Sequence, residues 1–251
     1  MSRPPDGFLG GRLSLRQPER GHRAGTDAVL LAACVPAEAV GRAVDVGSGA
    51  GAAGLCALAR SQALDMTCAE IDPDLVALCD ANIRDNGLEK RARAVEADVL
   101  RAASRRAAGL ADGAFDIVVT NPPFLDPARA RVSPDASRAL AHAAAPGGLE
   151  AWMKAALALL KPGGTFLMIH RADALADILD SAKGRIGGLR LLPVHAKADE
   201  PAIRLLVAGQ KGSRAPLALR PPLVLHGPDG GFTPIAEAVH RGAAGIAIGG
   251  R

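Results

Sequence analysis

Between Arg42 and His170 the chain alternates short apolar runs with amphipathic ones, and turn residues separate them. This rhythm predicts strands at Arg42–Val46, Met66–Ile71, Ala92–Glu96, Phe115–Thr120 and Thr165–His170. Helices are expected at Ala52–Arg60, Pro73–Asn86, Val99–Ala108, Leu149–Leu160 and Ala172–Lys183. Pro73 at a first turn and Asn86-Gly87 at a last one mark the ends of the second helix. Two further strands, Leu189–His195 and Ala202–Ala208, follow with only a loop between them, so they are expected to pair antiparallel. Strand–helix alternation demands a mostly parallel sheet with helices on both faces. The expected fold is α/β, a doubly wound, Rossmann-like sheet of seven strands. Such sheets bind ligands beyond the carboxyl ends of their strands.

The flanks read differently. Residues 1–24, rich in Gly, Pro and Arg, are expected as an extended or hairpin-like N-terminal extension. Thr26-Asp27 then opens an apolar run, as a helix start would. The main domain is placed at 25–211, and 212–251 is read as a basic, Pro/Gly-rich C-terminal tail. From Lys183 onward there are ten Lys or Arg against four Asp or Glu, so the overall charge of +4 is concentrated there. That balance suits a polyanionic partner and equally suits an arginine-coated surface.

Core-forming residues make up 49% of the 251, enough for a large buried sheet, but aromatics are only 2%, with no Tyr and one Trp. The core must be Ala, Leu, Val and Ile, and Trp152 is expected within it. Cys34, Cys56, Cys68 and Cys79 form no C-x-x-C pair and sit in apolar stretches. They read as buried free thiols of a reducing compartment. No secretory leader is visible, and no apolar run approaches the roughly 20 residues that span a bilayer. A soluble, cytoplasmic protein is expected. No set of His, Cys, Asp and Glu has metal-ligand spacing.

The chemistry-bearing residues all follow strands. Asp45-Val-Gly47-Ser-Gly49-Ala-Gly51 links the first strand to a helix, and its glycines let the backbone turn sharply and approach a ligand. Asp45 can take hydrogen bonds from an ammonium group, directly or through water. Glu70 ends the next strand and suits two ribose hydroxyls. Asp98 follows the third, placed for an adenine amine. Together the three acids outline a site for an amino acid, a ribose and a base, as in S-adenosylmethionine. Gly49-Ala-Gly51-Ala-Ala-Gly54 also fits the dinucleotide fingerprint G-x-G-x-x-G. Asp45, placed before the loop, would repel a pyrophosphate and argues against that reading.

Asn121-Pro122-Pro123-Phe124 follows the fourth strand. Two prolines stiffen the turn, so the Asn121 side chain and the Pro122 carbonyl can aim at one point. Both accept hydrogen bonds and can hold the two hydrogens of a planar –NH₂ group. Phe124 offers a face for a planar substrate. Asn121, Pro122 and Phe124 are the candidate catalytic residues. Asn121 also borders the cofactor. Arg129, Arg131 and Arg138 are candidate phosphate contacts, and His142 is read as a surface residue.

With these motifs the chain resembles the class I methyltransferases that carry N-P-P-[FY]. More closely, it resembles the bacterial adenine N6-methyltransferases that modify valine tRNA beside the anticodon. Gly25-Thr26-Asp27-Ala28-Val29-Leu30-Leu31, the Asp45–Gly51 loop and Asn121–Phe124 carry that resemblance, over most of residues 7–208. Ala69-Glu70-Ile71-Asp72 and Leu160-Lys161-Pro162-Gly163-Gly164 agree with it. It implies transfer of methyl from S-adenosylmethionine to adenine N6 in a tRNA loop. It also implies that Thr26 and Asp27 lie over the methionine end of the cofactor, with Asp45, Gly47, Gly49, Gly51, Glu70 and Asp98 holding the rest. Two features depart from the family: Phe124 stands where some relatives have Tyr, and the chain continues well past Gly209. Alternatives are a protein glutamine N5-methyltransferase, an rRNA guanine N2-methyltransferase, an RNA-binding module that keeps the fold, and, more remotely, a dinucleotide oxidoreductase. The glutamine-modifying relatives usually carry a helical N-terminal domain, which 24 residues cannot build.

Overall fold

A computed structural model describes residues 4–19, 23–123 and 148–248. Phe124, Arg129, Arg131, Arg138 and His142 lie outside the described residues. The central strands are β3 (Val40–Val46), β4 (Ala63–Glu70), β5 (Ala92–Glu96), β6 (Phe115–Thr120), β7 (Leu160–Arg171), β8 (Ile186–His195) and β9 (Ala202–Lys211). They lie in the order β8-β9-β7-β6-β3-β4-β5. All neighbours are parallel except β9, which runs antiparallel to both β7 and β8. These are the seven expected strands in a Rossmann-like arrangement. Two short strands, β10 (Ala218–Leu219) and β11 (Leu223–Val224), add to the outer edge of β8 and bring the sheet to nine.

Helices α1 (Thr26–Ala33), α2 (Ala52–Arg60) and α3 (Pro73–Asp85) cover one face, α5 (Gly148–Leu159) and α6 (Leu175–Ala182) the other. The period-two geometry of a strand sorts β3 between them. Ala43 faces the α1–α2–α3 side, while Val44 and Val46 pack with Phe115, Trp152, Met153 and Phe166. Burial on both faces explains why these strands read as continuous apolar runs. A short α4 (Ala102–Ala107) is the trimmed remnant of the longer helix expected there. Lys161-Pro162-Gly163-Gly164 falls inside β7, where a bulge between Phe115 and Ile117 of β6 accommodates it.

The N-terminal segment is a hairpin, β1 (Asp6–Phe8) with β2 (Leu13–Leu15). Two side-chain amides one turn apart, in α3 and at the residue that ends it, hold it as a neighbouring strand would. Asn86 exchanges hydrogen bonds with the backbone of Ser14, and Asn82 with that of Arg16. The Asn82 amide also donates to Ala50 O at 2.9 Å, so the hairpin is braced against the loop after β3.

The segment expected as a basic tail is packed onto the domain. Leu223, Leu225, Ala236, Val239, Ile246 and Ile248 are buried in the same core as α1 and α2. Helix α7 (Pro234–His240) is capped by Thr233, whose hydroxyl accepts from Ala236 N. Arg60 donates to Ala244 O at 2.7 Å, and Ile246 N bonds to Ala33 O. Much of the basic charge is engaged internally. Lys211 caps the end of α5 at Leu157 O and Leu160 O, Arg185 pairs with Glu150, and Arg241 pairs with Glu237. Arg214 is exposed, but it follows β9 at the amino ends of the parallel strands, opposite the ligand-binding end.

Candidate functional site

The loop after β3 turns three times through the left-handed region, at Gly47 (φ 72°), Gly49 (φ 55°) and Gly51 (φ 89°). Only glycine adopts these values without strain. The loop is anchored from outside itself. Gly47 N and Ser48 N both donate to Ala69 O, at 2.9 and 3.1 Å. Gly49 N donates to Glu70 Oε2 at 2.8 Å. A Cβ on Gly49 would meet nothing within 4 Å, so this turn borders open space. Gly51 is closed in, since a Cβ there would fall 2.6 Å from Cys79 Sγ.

Asp45 and Glu70 flank this loop. Asp45 is 1% exposed and accepts from Gly54 N at 2.8 Å, which ties the strand end to the first turn of α2. Burial pushes its carboxyl up to about 7 against the opposing Gly54 N–H, and the charge of Glu70 adds to the rise. Any contact from Asp45 to a bound ammonium therefore competes with desolvation. Glu70 accepts Ile71 N and Asp72 N on its other oxygen, at 2.8 and 3.1 Å. Three backbone donors fix the orientation of its carboxylate beside the loop.

Asp98 lies beside this pair, because Ala97 N bonds to Glu70 O. Its carboxylate accepts from Leu100 N at 3.1 Å and pairs with Arg101. Thr26 and Asp27 start α1 and are drawn toward the C-terminal half of the chain. Asp27 forms an ion pair with Arg204 of β9 at 2.8 Å, and Thr26 Oγ1 lies 3.2 Å from His240 Nε2. His240 also stacks on Phe232, which stacks on His226. Arg204 is paired in register with Arg171, at the carboxyl end of β7, so Asp27 sits at the ligand-binding end of the sheet.

Asn121 follows β6 at that same end. Its amide oxygen is buried and accepts no hydrogen bond among the described residues. A buried unpaired carbonyl costs roughly 1–3 kcal/mol, so its persistence at a strand end suits an acceptor kept for a ligand. Ser48 Oγ, in the glycine loop, is a second buried polar atom without a partner there. Pro122 is buried and Pro123 partly so.

Two residues that were not among the expected site residues connect the pieces. Thr120, fully buried, donates from Oγ1 to Val46 O at 2.8 Å and accepts from Trp152 Nε1 at 2.9 Å. The Trp152 ring lies where a Cβ on Gly47 would be, 2.8 Å away. Trp152 is in the core as expected, yet it also touches the end of β6 and the first turn of the glycine loop. Its being the only tryptophan of an aromatic-poor chain was the available signal. The four cysteines are buried, also as expected. Desolvation pushes the Cys56 thiol up to about 12 and raises Cys34 beyond the ordinary thiol range. They behave as apolar filler. Among the described residues no cluster of His, Cys, Asp and Glu could hold a metal, and no helix is long and apolar enough to cross a membrane.

The polar groups fit S-adenosylmethionine: an open glycine turn, an oriented carboxylate beside it, and buried polar atoms at Ser48 and Asn121 with no partner among the described residues. Residues 23–182 match the family model of the methyltransferase small domain. A tRNA1(Val) (adenine(37)-N6)-methyltransferase of Erwinia tasmaniensis is 29% identical over 90% of this chain and 89% of its own length. A release factor glutamine methyltransferase of Chlorobaculum tepidum is 29% identical over 62% of this chain and 54% of its own. A crystal structure from Agrobacterium tumefaciens, described as a predicted O-methyltransferase, superposes with a TM-score of 0.75 at 33% identity. It covers 88% of this chain and 98% of that one.

Proposed function

This chain belongs to the methyltransferase small domain family and is an S-adenosylmethionine-dependent methyltransferase, and from that premise we propose that it methylates adenine N6 in a tRNA anticodon loop. The observation that carries the choice of an amine is the buried Asn121 amide oxygen after β6, which has no partner among the described residues. An acceptor there needs a donor from the substrate, and a planar –NH₂ supplies one while a second hydrogen remains for the Pro122 carbonyl. The relative from Erwinia supports adenine in tRNA, and the length of chain it shares supports it further.

When bound, the cofactor supplies an electrophilic methyl on a sulfonium. The residues of this chain do the rest. Glu70 orients the ribose, Gly47, Gly49 and Gly51 let the backbone close on it, and Asp98 borders the base. Asp45 braces the loop and favours a cationic group nearby. Thr26 and Asp27 close the methionine end from α1. Asn121 and Pro122 hold the substrate nitrogen so that its lone pair faces the methyl, and Phe124 stacks on the base. Positioning and charge stabilisation supply most of the catalysis in such an in-line displacement. A base in a loop is already poorly stacked, so extruding it costs little. The same turn could hold a glutamine side chain, whose amide is also planar. Incubating the protein with labelled S-adenosylmethionine and total RNA, then identifying the labelled nucleoside, tests the reading. N6-methyladenosine in tRNA is expected. Label in protein and none in RNA would replace adenine with glutamine.

A further inference from the structure

We propose that Trp152 and Thr120 form a positioning pair that sets the acceptor turn against the cofactor loop during methyl transfer. The inference rests on the reading of Asn121 as the acceptor-side residue.

The two loops leave adjacent parallel strands, with Val46 of β3 paired to Thr120 of β6. The pairing of β3 with β6 ends there, and beyond it the glycine loop is anchored on the β4 side, at Ala69 O and Glu70. Three contacts continue the connection beyond the sheet. Thr120 Oγ1 donates to Val46 O at 2.8 Å, the carbonyl that opens the glycine loop. Trp152 Nε1 donates to the same hydroxyl at 2.9 Å. The Trp152 ring lies against Gly47, the first left-handed turn of the loop. Thr120 and Trp152 are both buried, so these bonds do not compete with water. The hydroxyl has its one proton on Val46 O and one of its two lone pairs on the indole N–H, which ties the three groups together. Asn121 is the next residue after Thr120, so the backbone of the acceptor turn starts from that fixed point.

An in-line transfer loses rate when reacting atoms are displaced by a fraction of an ångström, even where ground-state binding is intact. The pair touches neither reacting atom. Its effect should therefore appear in the transfer step and leave cofactor affinity almost unchanged.

Three variants separate this role from simple core packing. Thr120→Val deletes the hydroxyl and strands the indole N–H. Trp152→Phe keeps a ring against Gly47 and deletes the N–H. Thr120→Ser keeps the hydroxyl. Each is tested in single-turnover methyl transfer to total tRNA at saturating S-adenosylmethionine, with cofactor affinity measured by calorimetry. Thr120→Val and Trp152→Phe should transfer at least about 10-fold more slowly, with affinity within about 3-fold of wild type, and Thr120→Ser should return to within about 2-fold. A Thr120→Val protein at wild-type rate overturns the proposal. So does a parallel loss of affinity and rate that serine does not restore. If the wild-type protein methylates no tRNA, the reading of the acceptor fails, and hydrogen exchange judges the pair alone. S-adenosylhomocysteine should then slow exchange of the Asn121 amide, just beyond β6, more in wild type than in Thr120→Val. Equal protection in both overturns the pair.

Discussion

The carboxylate of Glu70 accepts the backbone N–H of Gly49 at 2.8 Å, joining the end of β4 to the middle of the glycine loop after β3. The same carboxylate takes Ile71 N and Asp72 N. Glu70 thus shapes the loop and is the proposed ribose ligand. Glu70→Ala should weaken S-adenosylmethionine binding by about 1.5–3 kcal/mol, the scale of lost hydrogen bonds to a charged group. Glu70→Gln can still accept from Gly49 and should lose less. Calorimetric titration checks both, and equal affinity for wild type and the alanine variant would remove Glu70 from the site.

Gly47→Ala faces two obstacles at once, a φ of 72° and the Trp152 ring 2.8 Å from the new methyl. Relief requires moving Trp152, which would break its bond to Thr120. A loss of about 2 kcal/mol or more of stability is expected from combined strain and overpacking. Urea denaturation measures it. A Gly47→Ala protein as stable as wild type would show that the ring gives way freely.

Asp45 should make cofactor binding proton-linked. Its folded-state carboxyl is raised to about 7 from 3.8, so the folded chain holds this proton more tightly than the unfolded one. The group's contribution to stability is full below 3.8 and is lost as pH rises through about 7. A cation bound nearby favours the carboxylate, so binding should release protons and tighten from about pH 6 to about pH 8. Asp45→Asn should abolish this slope. Calorimetry in buffers of different ionisation heat reads the proton release, and an unchanged slope in the variant would place the titration elsewhere.

Asn121→Ala should leave cofactor affinity nearly unchanged and slow transfer by at least about 100-fold, since a hydrogen bond strengthened in the transition state is worth a few kcal/mol. The amide oxygen gains most as the attacking nitrogen turns cationic. Single-turnover rates decide it, and a near wild-type rate would reduce this motif to a turn.

If tRNA is the partner, affinity should fall steeply with salt. Arg129→Gln, just after the acceptor turn, should lower the slope by about one counterion, whereas Arg214→Gln, at the opposite end of the sheet, should leave it unchanged. Filter binding across a salt series distinguishes them. Removing residues 212–251 is expected to destabilise the whole domain by several kcal/mol, because it uncovers core that Leu223, Val239, Ile246 and Ile248 bury.

The strands and the glycine loop were legible because their signals are local. Apolar runs, the turn residues that end them and acids at strand ends all fall within a few positions of one another. The sequence by itself determined the doubly wound sheet, the glycine loop at Asp45–Gly51, the acid that ends β4 at Glu70 and the proline turn that follows β6 at Asn121. Only the tertiary structure decided which side chains join these pieces. Trp152 reaches Thr120 across 32 residues, Asp27 meets Arg204 across 177, and Thr26 meets His240 across 214. The C-terminal segment, rich in Pro, Gly and Arg, reads as a tail because its few apolar residues follow no helical or strand period over any length. It is folded in because these residues join the core that α1 and α2 help build, and because β11 pairs with β8. Local pattern records what a segment can form alone, whereas contacts between distant segments depend on surfaces that exist only once the sheet has closed.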